Sequence, residues 1–166
     1  KEDGVVGLRL YPTQRSPGSD PLAIWRKAAE LNLPVSCFAR SIEHLIDPGF
    51  QSLVEELPNC TLLLEHQAGA SRGLDPSAVT PPFDSYRKAL TLARFPNVYY
   101  KFGGLGEYCV RPNPLAPRFG FNEVLPLLDM ACEAFGPKRM LWGSDYPPVG
   151  GREGYRNSLR APMELP

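Results

Sequence analysis

Apolar runs alternate with amphipathic stretches along the whole chain. A β-rich run at 5–10 precedes a helical pattern over 21–31, in which Leu22, Trp25, Ala28 and Ala29 share a face. A second apolar run at 34–39 leads to a helix over 48–57. There Phe50, Leu53, Val54 and Leu57 fall at the i, i+3, i+4, i+7 spacing of one helical face. The pattern then predicts a strand at 61–64, a helix at 83–94 around Phe83, Tyr86, Leu90 and Ala93, and a strand at 97–102. A helix follows at 122–135, with Val124, Leu127, Leu128, Ala131 and Phe135 on one side, then a fifth strand at 139–142. Residues 155–159 begin a further helical pattern, with Pro162 and Pro166 close behind.

Each strand but the last is followed by a helix, and the strands are nearly continuous in apolar residues. That combination indicates a parallel sheet covered by helices, an α/β fold. A nucleotide-binding doubly wound sheet would carry a short GxGxxG loop after its first strand. Here that loop, 11–20, holds Arg15 and one glycine, Gly18. The loops after the third and fourth strands are long (65–82 and 103–121), whereas those leading into strands are short. This is the layout of a (β/α)8 barrel with its chemistry at the C-terminal ends of the strands. A full barrel takes eight strands and roughly 250 residues. Five units in 166 residues make a partial TIM barrel, one domain over 1–166 with the N-terminal strands missing. The opening Lys1-Glu2-Asp3-Gly4, without an initiator Met or signal peptide, reads as a cut N-terminus. Asp20-Pro21 and Asp47-Pro48 read as helix N-caps followed by proline at the first helical position. Only 110–120 is proline-rich enough to suggest a long loop.

The formal net charge is zero and no Lys/Arg run stands out, which argues against nucleic acid or an anionic membrane as the main partner. No apolar stretch approaches the roughly 20 residues that span a bilayer. The four cysteines, Cys37, Cys60, Cys109 and Cys132, form no CxxC pair. They are expected to be reduced and buried, Cys132 within its apolar helix, as suits a cytoplasmic protein. His44 is expected in a loop. Whether the protein forms a homo-oligomer is left open.

Four polar residues mark strand tips. Arg9 interrupts the first strand, His66 ends the third, Lys101 the fourth, and Asp145 the fifth in Met140-Leu141-Trp142-Gly143-Ser144-Asp145. Each has a plainer reading on its own: a strand-end Asp caps a loop, a lone His is a satisfied structural residue, and a mid-strand Arg marks an edge. Their common placement at one end of successive strands is what points to a shared cavity.

Four segments carry a family resemblance: Gly4-to-Leu10 (GVVGLRL), Leu64-Glu65-His66-Gln67-Ala68-Gly69, Pro96-Asn97-Val98-Tyr99-Tyr100-Lys101-Phe102-Gly103-Gly104, and the run from Phe135 to Pro147 (FGPKRMLWGSDYP). Through them the chain resembles the amidohydrolase-related family, in the metal-dependent hydrolase branch that includes lactonases and 2-pyrone-4,6-dicarboxylate hydrolases. The resemblance runs through nearly the whole chain and implies that the five strands are strands four to eight of the barrel.

It also implies roles. Asp145 would take a proton from the attacking water or bind a divalent metal, zinc or manganese. His66 would polarise the carbonyl under attack or join the metal site. Arg9 and Lys101 stand where the family places cations that hold a substrate carboxylate, so the implied partner is a small carboxylate-bearing molecule. The family's HxH motif belongs to strand one, which this chain lacks, and 35–38 holds no strand-five histidine. His66 and Asp145 alone cannot complete a catalytic zinc site, which usually takes three protein ligands. The remaining ligands are therefore expected outside this chain, and a metal-independent mechanism stays open. The implied activity is hydrolysis of a carboxylate-bearing lactone or related cyclic ester or amide. The alternatives are non-oxidative decarboxylation, and a truncated product that is catalytically silent by itself.

Overall fold

The computed structural model describes residues 4–70, 76–109 and 120–164. The stretch expected to form a proline-rich loop, 110–120, lies almost wholly outside them. Five strands form one sheet: β1 (Leu8–Leu10), β2 (Val35–Cys37), β3 (Leu62–Leu64), β4 (Val98–Gly103) and β5 (Met140–Gly143). All pairings are parallel and the order is β1-β2-β3-β4-β5, the arrangement of consecutive units in a partial TIM barrel. Among the described residues β1 and β5 each pair on one side only.

The helices are α1 (Ala23–Glu30), α2 (Glu43–Ile46), α3 (Pro48–Glu56), α4 (the turn His66–Gly69), α5 (Asp84–Leu90), α6 (Leu125–Phe135), α7 (Pro148–Arg152) and α8 (Tyr155–Glu164). Asp47 caps α3 as its sequence suggests, accepting from the backbone N–H groups of Gly49 and Phe50. Asp20 does not cap a helix. Its carboxylate accepts from the backbone N–H of Leu22, and α1 starts at Ala23. The predicted helix over 83–94 breaks at Leu90 into a 3-10 turn, Thr91–Arg94, and α8 runs on through Pro162. His44 belongs to the short α2, not to a loop.

Period-two alternation sorts the strand residues onto two faces. Val35, Cys37, Leu62, Leu64, Val98 and Tyr100 point into the helix layer, where they bury against Trp25, Leu53, Tyr86, Leu127 and Leu128. Each fully buried leucine there contributes about 1.5–3 kcal/mol of transfer free energy. The two tyrosines satisfy their buried hydroxyls. Tyr86 donates to the Leu127 carbonyl at 2.9 Å, and its oxygen lies 2.6 Å from that of Tyr100. Burial pushes the thiols of Cys37 and Cys60 up, so neither is a nucleophile at neutral pH. Cys132 corrects the expectation of buried thiols: it is exposed, one step round α6 from the buried stripe of Leu127, Leu128 and Ala131.

The opposite face carries Arg9, Ser36, Leu63, Tyr99, Lys101 and Leu141, which the parallel register places side by side. At the end of β4 the backbones of Gly103 and Gly143 lie so close that a Cβ on Gly103 would sit 2.0 Å from the Gly143 carbonyl oxygen.

Candidate active site

The register puts Arg9 opposite Ser36, and one step beyond β3 it brings Glu65 level with Lys101. Glu65 is 4% exposed and accepts from three elements at once. Arg9 donates Nε at 2.7 Å, Ser36 its hydroxyl at 2.5 Å, and Lys101 its Nζ at 2.8 Å. Burial alone would raise this carboxyl, but the bonds from Lys101, Ser36 and Arg9 outweigh it and hold the group at about 2. The Arg9 guanidinium also lies over the Phe38 ring, 4.3 Å from its centroid.

Next along the chain, α4 turns the backbone left-handed. His66, Gln67, Ala68 and Gly69 have φ of 49°, 48°, 52° and 73° in succession. Only glycine adopts this conformation freely, so the three preceding residues carry a cost of about 1–2 kcal/mol each. Surrounding bonds offset it: Gln67 donates Nε2 to the Gly103 carbonyl at 3.1 Å, and the Tyr108 hydroxyl lies 3.1 Å from the carbonyls of both His66 and Ala70. The turn swings the imidazole to the strand tips, edge-on to Phe38.

Asp145, φ 57°, follows β5. Its Oδ1 lies 3.8 Å from His66 Nε2, beyond hydrogen-bond range. Its Oδ2 accepts from Arg152 at 2.9 Å. Glu107, in a 3-10 turn after β4, places Oε2 3.9 Å from His66 Nδ1 and 3.8 Å from Arg152. One ligand atom each from His66, Glu107 and Asp145 lie within 4.8 Å of one another. An imidazole and two carboxylates are a donor set that fits a divalent cation such as zinc or manganese.

Arg9, His66, Lys101 and Asp145 line one cavity of about 400 Å³, together with Glu65, Phe102 and residues 143–146. A second cavity of about 440 Å³ shares Arg9, His66 and Asp145 and extends to Arg40, Tyr108 and Arg152. The four strand-tip residues thus come together in space. Three groups that sequence reasoning passed over join them: Glu65, Glu107 and Arg152.

Residues 1–163 match the family model described as Amidohydrolase. The chain belongs to the amidohydrolase family. No curated protein sequence matches it. Among solved structures, this amidohydrolase chain is similar to an amidohydrolase from Burkholderia multivorans with bound zinc, at 20% identity and a TM-score of 0.71, over 96% of this chain and 58% of that one. A Pseudomonas putida protein assigned as a putative 2-pyrone-4,6-dicarboxylic acid hydrolase is 20% identical with a TM-score of 0.66, over 98% and 56%. The 2,6-dihydroxybenzoate decarboxylase from Rhizobium is 14% identical with a TM-score of 0.52, over 92% and 55%. These likenesses extend to the fold. The chain spans a little over half the length of the structures it matches. No helix among the described residues is long and apolar enough to cross a membrane.

Proposed function

We propose that this chain supplies the catalytic tip of a hydrolase acting on a carboxylate-bearing lactone or a related cyclic ester or amide. The observation that carries the reading is the 3.8 Å gap between Asp145 Oδ1 and His66 Nε2, in a cavity that also holds Arg9 and Lys101. Arg9 spends Nε on Glu65, which leaves its terminal nitrogens for a substrate carboxylate, with Lys101 beside it. Asp145, one oxygen tied to Arg152, keeps Oδ1 for a water. That water adds to the carbonyl carbon and gives its proton to Asp145. The ring C–O bond then breaks, and the proton passes to the departing oxygen. His66 stands where it can stabilise charge on the carbonyl oxygen. His66, Glu107 and Asp145 would hold a divalent cation, which when bound supplies Lewis-acid polarisation at the same point.

Hydrolysis is favoured over decarboxylation because no histidine stands on β2. The β2 residue on the same face as Arg9 is Ser36, whose hydroxyl is committed to Glu65. The test is turnover of a panel of carboxylate-bearing lactones and of aromatic carboxylic acids by the full-length protein. Ring opening of a lactone is the expected result. Release of carbon dioxide from an aromatic acid, with every lactone untouched, would replace this reading with decarboxylation.

A further inference from the structure

Asp145 is not held by its own strand. Its Oδ2 accepts from Arg152, on α7, at 2.9 Å. Arg152 is fixed in turn by Glu153, which accepts its Nε at 2.7 Å. Glu153 is fully buried, and its other oxygen accepts from the backbone N–H of Gly106 at 3.2 Å. A buried carboxylate is costly unless paired, and the pairing of this one aims a guanidinium at Asp145.

The backbone beneath is cut to fit. A Cβ on Gly104, whose φ is 62°, would lie 2.9 Å from Asp145 Oδ2 and 3.1 Å from Arg152 Nη2. A Cβ on Gly106 would lie 2.5 Å from Glu153 Oε2. Gly104 and Gly106 thus form the floor on which the Asp145–Arg152–Glu153 chain rests.

We infer that Arg152, oriented by Glu153, is a positioning residue for Asp145: it fixes the rotamer that presents Oδ1 to His66 and to the reacting water. The inference rests on the reading of Asp145 as the group that activates water. Losing the clamp leaves the carboxylate free to rotate, and a misplacement of about 1 Å costs on the order of 100-fold in rate.

The test is steady-state kinetics of Arg152→Ala, Arg152→Lys and Asp145→Asn in the full-length protein, with melting temperature as the check on folding. Arg152→Ala is expected to lower kcat roughly 100-fold with KM nearly unchanged. Arg152→Lys should recover part of the loss, and added guanidinium should partly restore Arg152→Ala. A change confined to KM would make Arg152 a substrate-binding group and overturn the inference. So would native kcat in Arg152→Ala, or a loss that tracks unfolding and resists both rescues. Each of those failures leaves the Asp145 reading intact if Asp145→Asn is inactive. Native turnover by Asp145→Asn would instead sink the underlying reading.

Discussion

Lys101 reaches Glu65 at 2.8 Å across 36 positions of sequence, joining the tips of adjacent strands through a carboxylate that is 4% exposed. Arg9 completes the group from β1, so one anion organises two cations that face the cavity.

Glu65→Gln is therefore expected to destabilise the full-length protein by roughly 3 kcal/mol near neutral pH, as the breaking of a buried ion pair does. The pH dependence has a definite sign. The Glu65 carboxyl drops from its ordinary 4.5 to about 2 on folding, so its contribution is fully present above about 4.5 and is lost as pH falls toward about 2. Urea unfolding at stepped pH should show the gap between native protein and variant closing through that window. A gap that stays constant would contradict the assignment.

Asp145→Asn preserves shape but removes the proton acceptor proposed for the attacking water. Turnover should fall by about two to four orders of magnitude, the range of general-base contributions. Equilibrium binding of substrate to the variant, by calorimetry, should stay within a few-fold of native.

Arg9→Ala should act chiefly on KM, weakening carboxylate binding by about 1.5–3 kcal/mol, the range for a charged hydrogen bond. A lactone lacking the carboxylate should be turned over equally poorly by native protein and variant. If Arg9→Ala lowers kcat alone, the guanidinium serves the chemical step instead.

Gly103→Ala would drive a methyl into the Gly143 carbonyl, leaving the new carbon 2.0 Å from its oxygen. The β4–β5 pairing cannot hold there, and the variant should melt well below the native protein, if it is recovered folded at all. Thermal melts beside Gly150→Ala, where a Cβ meets nothing within 4 Å, provide the control.

The 166-residue chain expressed alone leaves one side of β1 and one side of β5 without a partner among the described residues, and Leu141 is 40% exposed. Unpaired apolar edges template further strand pairing. Light scattering should show concentration-dependent association, and lactone turnover should be absent. A cooperatively melting, active monomer would contradict both expectations.

The strands and helices are legible in the sequence because apolar periodicity survives in each unit, and the tip residues because a polar side chain interrupts an otherwise apolar run. Glu65 is hidden in plain view. A carboxylate after Leu64 looks like ordinary solvent-facing punctuation until β1 and β4 bring Arg9 and Lys101 to it. Glu107 and Arg152 sit in a 3-10 turn and a five-residue helix, too short for any period to mark them. The left-handed turn at His66 is equally silent. Of its four residues only Gly69 announces positive φ, while His66 and Gln67 are held there by bonds to Tyr108 and to β4. Apolar runs overstate strand length where they outlast the pairing, as at Val5 and Val6, which are exposed ahead of β1.

The strictly sequential strand order bears on how the molecule is made. Each strand adds beside the one synthesised just before it, so during translation the sheet can grow from one side without waiting for a distant segment. The Glu65 cluster can close as soon as Lys101 has emerged. Asp145 and its Arg152 clamp come from β5 and the helix after it, so the nascent chain would assemble the Glu65 cluster well before the Asp145–Arg152 pair.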